Sequence, residues 1–503
     1  MSKNIISGFL SVLFGKIGVM ILTVAITPLL VRILGSGNYG DYAFLLSIFS
    51  VVTIFSRSGI SAGIRKYISE NNNQTDWEDH VFSFYSRLGI TLAVLIGGAL
   101  IIGAIVLPVE IIFGPNYTWY LFFLSAMLVA DQLFYVSRFT LMGLKFERYS
   151  ESLLVFQKLI FGILGITLAY LGYDVLGVLA GTAISSLTAS IIAIWLLRSR
   201  IDLLAPIKQL PNSFPKSDLL KFNITNTIFV LLTVSLYNVD ILLLRPFVGN
   251  QQTGLYKAAL VVAEFLWLAP QAVQIIFIQS SSELWSKGDY DEIQSMLGRS
   301  TRLNLLFTLL MVIGIGSLAH EFIYLYFGEE FQGAIVPLIL LLPGVLGFAI
   351  ARPIYAISQG KGNLKPLIFA TGTSALLNLI LNLMLIPKYG IAGAAIATSI
   401  GYGSMIVLHS IVALRLGCNP YHDIRIYSVI ITASLSAVLI YTLSQLIISN
   451  ILSLIVVPPL GFIFYFGLAL QTKAITPEEV IPMVKRIPSP FGRWVATAIQ
   501  SVS

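Results

Sequence analysis

Apolar residues run in stretches of about twenty positions from Phe9 to Ala469, separated by short polar breaks. A helix needs roughly 20 apolar residues to cross a hydrocarbon core about 30 Å thick, so each stretch predicts one membrane span. The pattern predicts about fourteen helices, near 8–31, 42–63, 84–107, 117–142, 151–172, 174–198, 218–244, 255–282, 299–320, 332–358, 364–386, 390–414, 425–446 and 451–470. The breaks leave no room for a separate soluble catalytic domain. The first stretch is too long for a cleavable signal and continues into a full span, so the first helix is expected to act as its own insertion signal.

Composition agrees, since 56% of the 503 residues are hydrophobic and only 11% are charged. Such a chain is an all-α integral membrane protein. The single cysteine, Cys418, excludes an internal disulfide and a cysteine-based metal cluster. Lysine and arginine fall unevenly among the breaks. With the N-terminus inside, cytoplasmic breaks hold Arg65, Lys66, Lys145, Arg148, Arg198, Arg200, Lys208, Lys216, Lys221, Lys287, Arg299, Arg302, Lys361, Lys365, Arg415 and Arg425, whereas the outer breaks hold Arg32, Arg245 and Lys388. Cytoplasmic loops retain positive charge, so a multi-pass cell-membrane protein with both termini cytoplasmic is expected. The net charge of +7 reflects this topology and attraction to anionic membrane lipid, and it calls for no nucleic acid.

The chain also repeats itself. A shift of about 214 residues places Gly35 on Gly249, Gly40 on Gly254, Tyr42 on Tyr256 and Arg138 on Arg352. A shift of about 216 carries Tyr173, Gly177 and Thr182 of "YDVLGVLAGTAIS" onto Tyr389, Gly393 and Thr398 of "YGIAGAAIATSIG". Ordered matches across six consecutive helices predict two parallel six-helix repeats around a central cleft, plus two added C-terminal helices. The expected domains are a first lobe at 1–200, a cytoplasmic linker at 201–217, a second lobe at 218–415, the extra helix pair at 416–471 and a tail at 472–503. Small residues in the repeated line predict close helix packing, because lipid supplies no hydrophobic drive between helices.

"ITPLLVRILGSGNYGDYAF" at 26–44, "FGPNY" at 113, "FGEEF" at 327 and "KYGIAGAAIATSIGYG" at 388 carry a resemblance. The chain resembles polysaccharide-transporter (Wzx-like) flippases of the multidrug, oligosaccharidyl-lipid and polysaccharide exporter superfamily, over roughly its first 415 residues. The resemblance implies a non-enzymatic transporter without a cofactor. It would move a lipid-linked oligosaccharide to the outer face for surface-glycan assembly, with glycan-assembly enzymes as candidate partners. The rival within the superfamily is a multidrug or cation antiporter. A membrane glycosyltransferase or polymerase is the rival from another class, and it would need a large soluble loop with an acidic site.

Charges inside spans give an independent reading, because each costs roughly 3 kcal/mol or more in the bilayer and is usually placed for function. Lys16 and Arg57 are expected at similar depth in the cytoplasmic halves of the first two spans, and a shift of 214 puts Val230 and Gln271 in their places. A duplicated scaffold therefore does not need them. They suit a phosphate or pyrophosphate, arginine as a two-pronged donor and lysine as a point charge; the competing reading is that both side chains reach back to the inner surface. In the second lobe Asp240 could pair with Lys257, while Glu264, with no obvious partner in sequence, is the better candidate for a proton or sodium site. Tyr237, Asn226, Trp267, Gln271 and Gln274 could line a sugar-compatible cavity or simply bond between helices. Arg138 and Arg352 read as structural anchors, and Asp131 with Lys158 as a neutralising pair.

Enzyme motifs fail on context. "GISAG" at 59–63 ends a membrane helix, where a nucleophile elbow needs a strand, a turn and a helix. "DYD" at 289 repeats "DWE" at 76, and His80, His320, His409 and His422 have no metal-ligand spacing. After the last span, Thr476, Pro477 and Glu479 open a capped helix, and Lys485, Arg486, Arg493 and Trp494 suggest that it lies on the cytoplasmic surface. The topology has a direct test. A reporter fused after Gly114 should read outside and one after Gln209 inside; the reverse pattern would refute the lobe assignment.

Overall fold

The computed structural model describes residues 2–70, 76–212, 214–362 and 364–484. The helices are α1 (Ser2–Ser69), α2 (Trp77–Val106), α3 (Val109–Phe113), α4 (Tyr117–Gly143), α5 (Glu147–Leu168), α6 (Asp174–Leu197), α7 (Lys216–Phe265), α8 (Leu268–Lys287), α9 (Tyr290–Ser317), α10 (Ala319–Tyr326), α11 (Ile335–Gly360), α12 (Lys365–Arg415), α13 (Ile426–Leu446), α14 (Asn450–Gln471) and α15 (Pro477–Val484). No strand occurs among the described residues. The chain forms two compact units, Met1–Gly254 and Leu255–Ser503, and the division falls inside α7.

Ten helical stretches among the described residues are long and apolar enough to cross a membrane. Four predicted pairs of segments adjoin within single stretches, each pair across a kink at a glycine. Those at 8–31 and 42–63 both lie in α1, 151–172 and 174–198 run through α5 and α6, and 364–386 and 390–414 share α12. The segment at 218–244 lies in α7, whereas 255–282 is split between the end of α7 and α8.

Each of these four stretches is broken by a glycine with non-helical backbone: Gly35 in α1, Gly172 between α5 and α6, Gly249 in α7 and Gly390 in α12. Gly35 interrupts α1 at φ 68° and ψ 174°, and Gly249 interrupts α7 at φ 83° and ψ 178°. Only glycine enters that region without strain. These residues are mates in the repeat, so the duplication is written in the backbone as well as in the letters. A second pair of mates shows the same correspondence, with φ 107° at both Gly114 and Gly328.

Within the first unit, the segments beyond the two breaks cross with glycine against backbone. A Cβ on Gly40 would lie 1.9 Å from the Asn250 carbonyl oxygen, and one on Gly254 would lie 2.0 Å from that of Ser36. The glycines of the repeated line pack likewise: a Cβ on Gly181 would meet the Gly165 nitrogen of α5 at 2.7 Å. Beside the crossing, buried Asp41 accepts from Arg245 Nε at 2.6 Å, the Tyr117 hydroxyl at 2.5 Å and Asn250 Nδ2 at 3.2 Å. Arg245 also donates to the Phe113 carbonyl at 2.5 Å.

The second unit holds its C-terminal end by a comparable knot. Arg302 of α9 is fully buried and donates to Asp423 at 2.8 Å, to Glu479 and to the Ala474 carbonyl. Arg425 adds a bond to Asp423 at 3.0 Å and one to the Lys473 carbonyl at 3.1 Å. The Thr476 N–H donates to Glu479 Oε2 at 3.0 Å, half of the expected capping box. Lys485, Arg486, Arg493 and Trp494 lie outside the described residues. Burial would raise the Glu479 carboxyl, but the bonds from Arg302 and the Thr476 N–H, with the charges of Arg302 and Arg425, hold it below the usual carboxylate range.

Two outcomes follow from these knots. Asp41→Ala strands the buried Arg245 and should destabilise the protein by about 3–5 kcal/mol, whereas Tyr117→Phe removes one neutral donor and should cost about 1 kcal/mol. Equal small losses in micelle unfolding curves would show that Arg245 needs no counter-ion. For Glu479 the depressed pKa stabilises the fold at pH above the ordinary glutamate value, and that gain is lost as pH falls through the folded value. Proteolysis of the α15 segment should therefore accelerate at acid pH in the wild type and lose that dependence in Glu479→Gln.

Candidate functional site

Arg57 lies in the second half of α1, and its guanidinium faces two aromatic rings, Phe49 at 5.0 Å and Tyr135 at 4.4 Å. Its Nη2 is paired with Asp131 of α4. That pairing corrects the expectation of an Asp131–Lys158 pair, because α4 turns Asp131 toward α1, while Lys158 sits over the Phe161 ring at 4.7 Å. Asp131 Oδ1 also accepts from Ser186 Oγ of α6 at 3.1 Å and from Gln157 Nε2 of α5 at 3.4 Å. One carboxylate thus collects donors from α1, α5 and α6. Arg57 Nε is buried and has no acceptor among the described residues.

Lys16 is exposed on the first half of α1. Its neighbour Gly15 packs so closely on α5 that a Cβ there would lie 2.7 Å from Glu151 Oε2. Glu151 holds Arg138 at 2.7 Å, with both side chains buried. Lys16 and Arg57 thus have different surroundings, one open and one enclosed. Asp240 is fully buried in α7 and accepts from the Ile241 N–H at 2.8 Å; Tyr237 is half-buried one turn earlier. The side chain of Asn226 lies outside the described residues.

The second unit gathers several other candidates. Lys257 and Glu264 are half-buried near the end of α7, Gln274 is half-buried in α8 and Gln271 is exposed. Gln274 accepts from Arg352 Nη1 of α11 at 2.9 Å, and the guanidinium covers Phe348 at 4.6 Å and Trp267 at 5.3 Å. Lys257 and Arg352 both act electrostatically on Glu264, so Glu264 has cationic neighbours that its sequence position does not reveal. Trp267 is buried against Phe348 and Tyr402, a wall of the second unit's interior. Among the described residues no three histidine, cysteine, aspartate or glutamate side chains gather as a metal site.

Residues 5–280 match the family described as polysaccharide biosynthesis protein. The chain belongs to that family. Over 176 residues it is 30% identical to the probable low-salt glycan biosynthesis flippase Agl15 of Haloferax volcanii, a match covering 34% of this chain and 36% of that one. The matched part is thus about a third of that relative's length. Among solved structures, the lipid II flippase MurJ in an inward closed conformation has TM-score 0.75 at 17% identity, over 92% of this chain and 98% of that one. An inward-facing multidrug resistance MATE family transporter of the MOP superfamily has TM-score 0.61 at 15% identity, over 79% of this chain and 94% of that one. The chain therefore shares its fold with these two transporters.

For this family member, sequence reading missed the partner of Arg57 and the Asp41–Arg245 knot. An aspartate and an arginine within spans of one lobe were a usable signal for the first. The second is hidden, because Arg245 reads as an outer-loop residue while the fold buries it against a carboxylate 204 positions away.

Proposed function

We propose that the chain is a flippase for a lipid-linked oligosaccharide, carried on a polyprenyl or dolichyl phosphate or pyrophosphate, from the cytoplasmic to the outer face of the cell membrane. Arg57 carries the reading: it is a semi-buried cation on an aromatic bed, absent from the second repeat, whose Nε has no acceptor among the described residues. A guanidinium so placed suits a phosphate that must leave water, and exposed Lys16 suits its first capture at the cytoplasmic side. The probable glycan flippase among the relatives supports this reading. Transport would proceed by alternating access between the lobes at 1–200 and 218–415, with the helices at 416–471 and the tail at 472–503 as additions, and with both termini cytoplasmic. Glu264, Lys257 and Asp240 are the candidates for coupling to H+ or Na+, and Tyr237, Asn226, Gln271 and Gln274 for contact with sugar. Glycan-assembly enzymes on either face are the natural suppliers and consumers of the substrate.

The second reading, a drug or cation antiporter, draws on the fold shared with the MATE transporter. Cationic drugs would prefer anionic contacts, and Arg57 and Lys16 offer the opposite sign. The two readings separate in proteoliposomes loaded with a fluorescent polyprenyl-pyrophosphoryl oligosaccharide. Wild type should expose the glycan to an external lectin, and Arg57→Lys, which keeps the charge beside Asp131 but loses the planar fork, should flip roughly tenfold or more slowly, the size of one charge-assisted contact. Lys16→Ala should be milder. Undiminished flipping by a Lys16→Ala, Arg57→Lys protein would remove both residues from the mechanism, and drug efflux without glycan movement would favour the antiporter.

A further inference from the structure

Asp131 does more than neutralise a buried arginine. Its two oxygens have separate tasks: Oδ1 is held by Ser186 and Gln157, which are themselves bonded at 2.7 Å, and Oδ2 faces Arg57. The carboxylate therefore keeps two donors from α5 and α6 if Arg57 leaves it. Among the described residues the arginine meets the carboxylate through Nη2 alone. Nη2 meets Asp131 and Tyr135 is its other polar neighbour, while Nε stays buried and unmatched among the described residues. A planar guanidinium can offer two parallel N–H groups to one oxyanion, and a bidentate partner outcompetes a single-pronged one of equal charge.

The repeat strengthens the point. A shift of 214 carries Arg57 to Gln271 and Asp131 to Val345, so the second copy folds with neither member of the pair, although it keeps Arg352 where the first has Arg138.

We propose that Asp131 is a resident counter-ion that occupies Arg57 between transport cycles, and that a phosphate or pyrophosphate group binds by displacing it. Capture is then an exchange of one anion for another on a fixed cation. The empty protein never holds an isolated charge in the bilayer, and the returning carboxylate helps to expel the substrate. Asp131 is a positioning residue, since it acts through Arg57 and touches no substrate. This inference rests on the phosphate reading of Arg57.

The test uses the full-length protein in nanodiscs and three probes: a polyprenyl pyrophosphate, inorganic pyrophosphate and the uncharged polyprenol. Asp131→Asn should bind the polyprenyl pyrophosphate about tenfold tighter or more, because no anion has to be displaced, and should flip more slowly because release loses its competitor. A gain shared by inorganic pyrophosphate would assign the effect to the phosphate head; a gain shared by the polyprenol would overturn the exchange. Unchanged affinity in Asp131→Asn, with weakened binding in Arg57→Lys, would sink the exchange and leave the phosphate reading intact. If Arg57→Lys also binds normally, the phosphate reading itself fails. Should Asp131→Asn not insert, wild type with isotope-labelled aspartate gives the answer by difference infrared spectroscopy. Adding the polyprenyl pyrophosphate should shift an aspartate carboxylate band as Asp131 loses its guanidinium partner, and an unshifted spectrum at saturation would overturn the proposal.

Discussion

A charge inside a lipid-embedded lobe is stable only beside a group that answers it, and that requirement organises both units of this protein. Removing an ion from water costs several kcal/mol even after relaxation, so an unanswered arginine would be expelled or would unfold its surroundings. In the first unit Arg57, Arg138 and Arg245 each meet one carboxylate, Asp131, Glu151 and Asp41 respectively. The second unit solves the problem differently for Arg352, which rests on two aromatic faces and a neutral glutamine. Because each carboxylate, and the glutamine beside Arg352, comes from another helix, the charges also fix how the helices are rotated against one another.

The two repeats share backbone and differ in charge. Gly35 and Gly249 break their helices with nearly the same dihedrals, in a region open to glycine, so the break itself is part of the repeated backbone. The Arg57–Asp131 pair has no such counterpart. What recurs belongs to the scaffold, and what occurs once is free to serve a task. That contrast is the physical basis for the proposal that phosphate is recognised in the first lobe.

Membrane class, helical architecture and duplication were legible in the letters, because each is a local or periodic property: run length sets span number, and a fixed offset exposes the repeat. Even the glycine breaks were marked, although only the structure shows that Gly35 and Gly249 each kink the chain with a non-helical backbone between two helical segments. The sequence by itself also identified Lys16, Arg57 and Glu264 as charges needing explanation, since an ionisable residue in an apolar run stands out without any structure. Only the tertiary structure decided their partners. Asp131 turned to Arg57, 74 positions away, and not to Lys158, and Glu264 came under the influence of Arg352 from a separate helix. Pairing depends on the rotation and depth of packed helices, and those follow from the summed fit of many apolar side chains that no single stretch of sequence encodes.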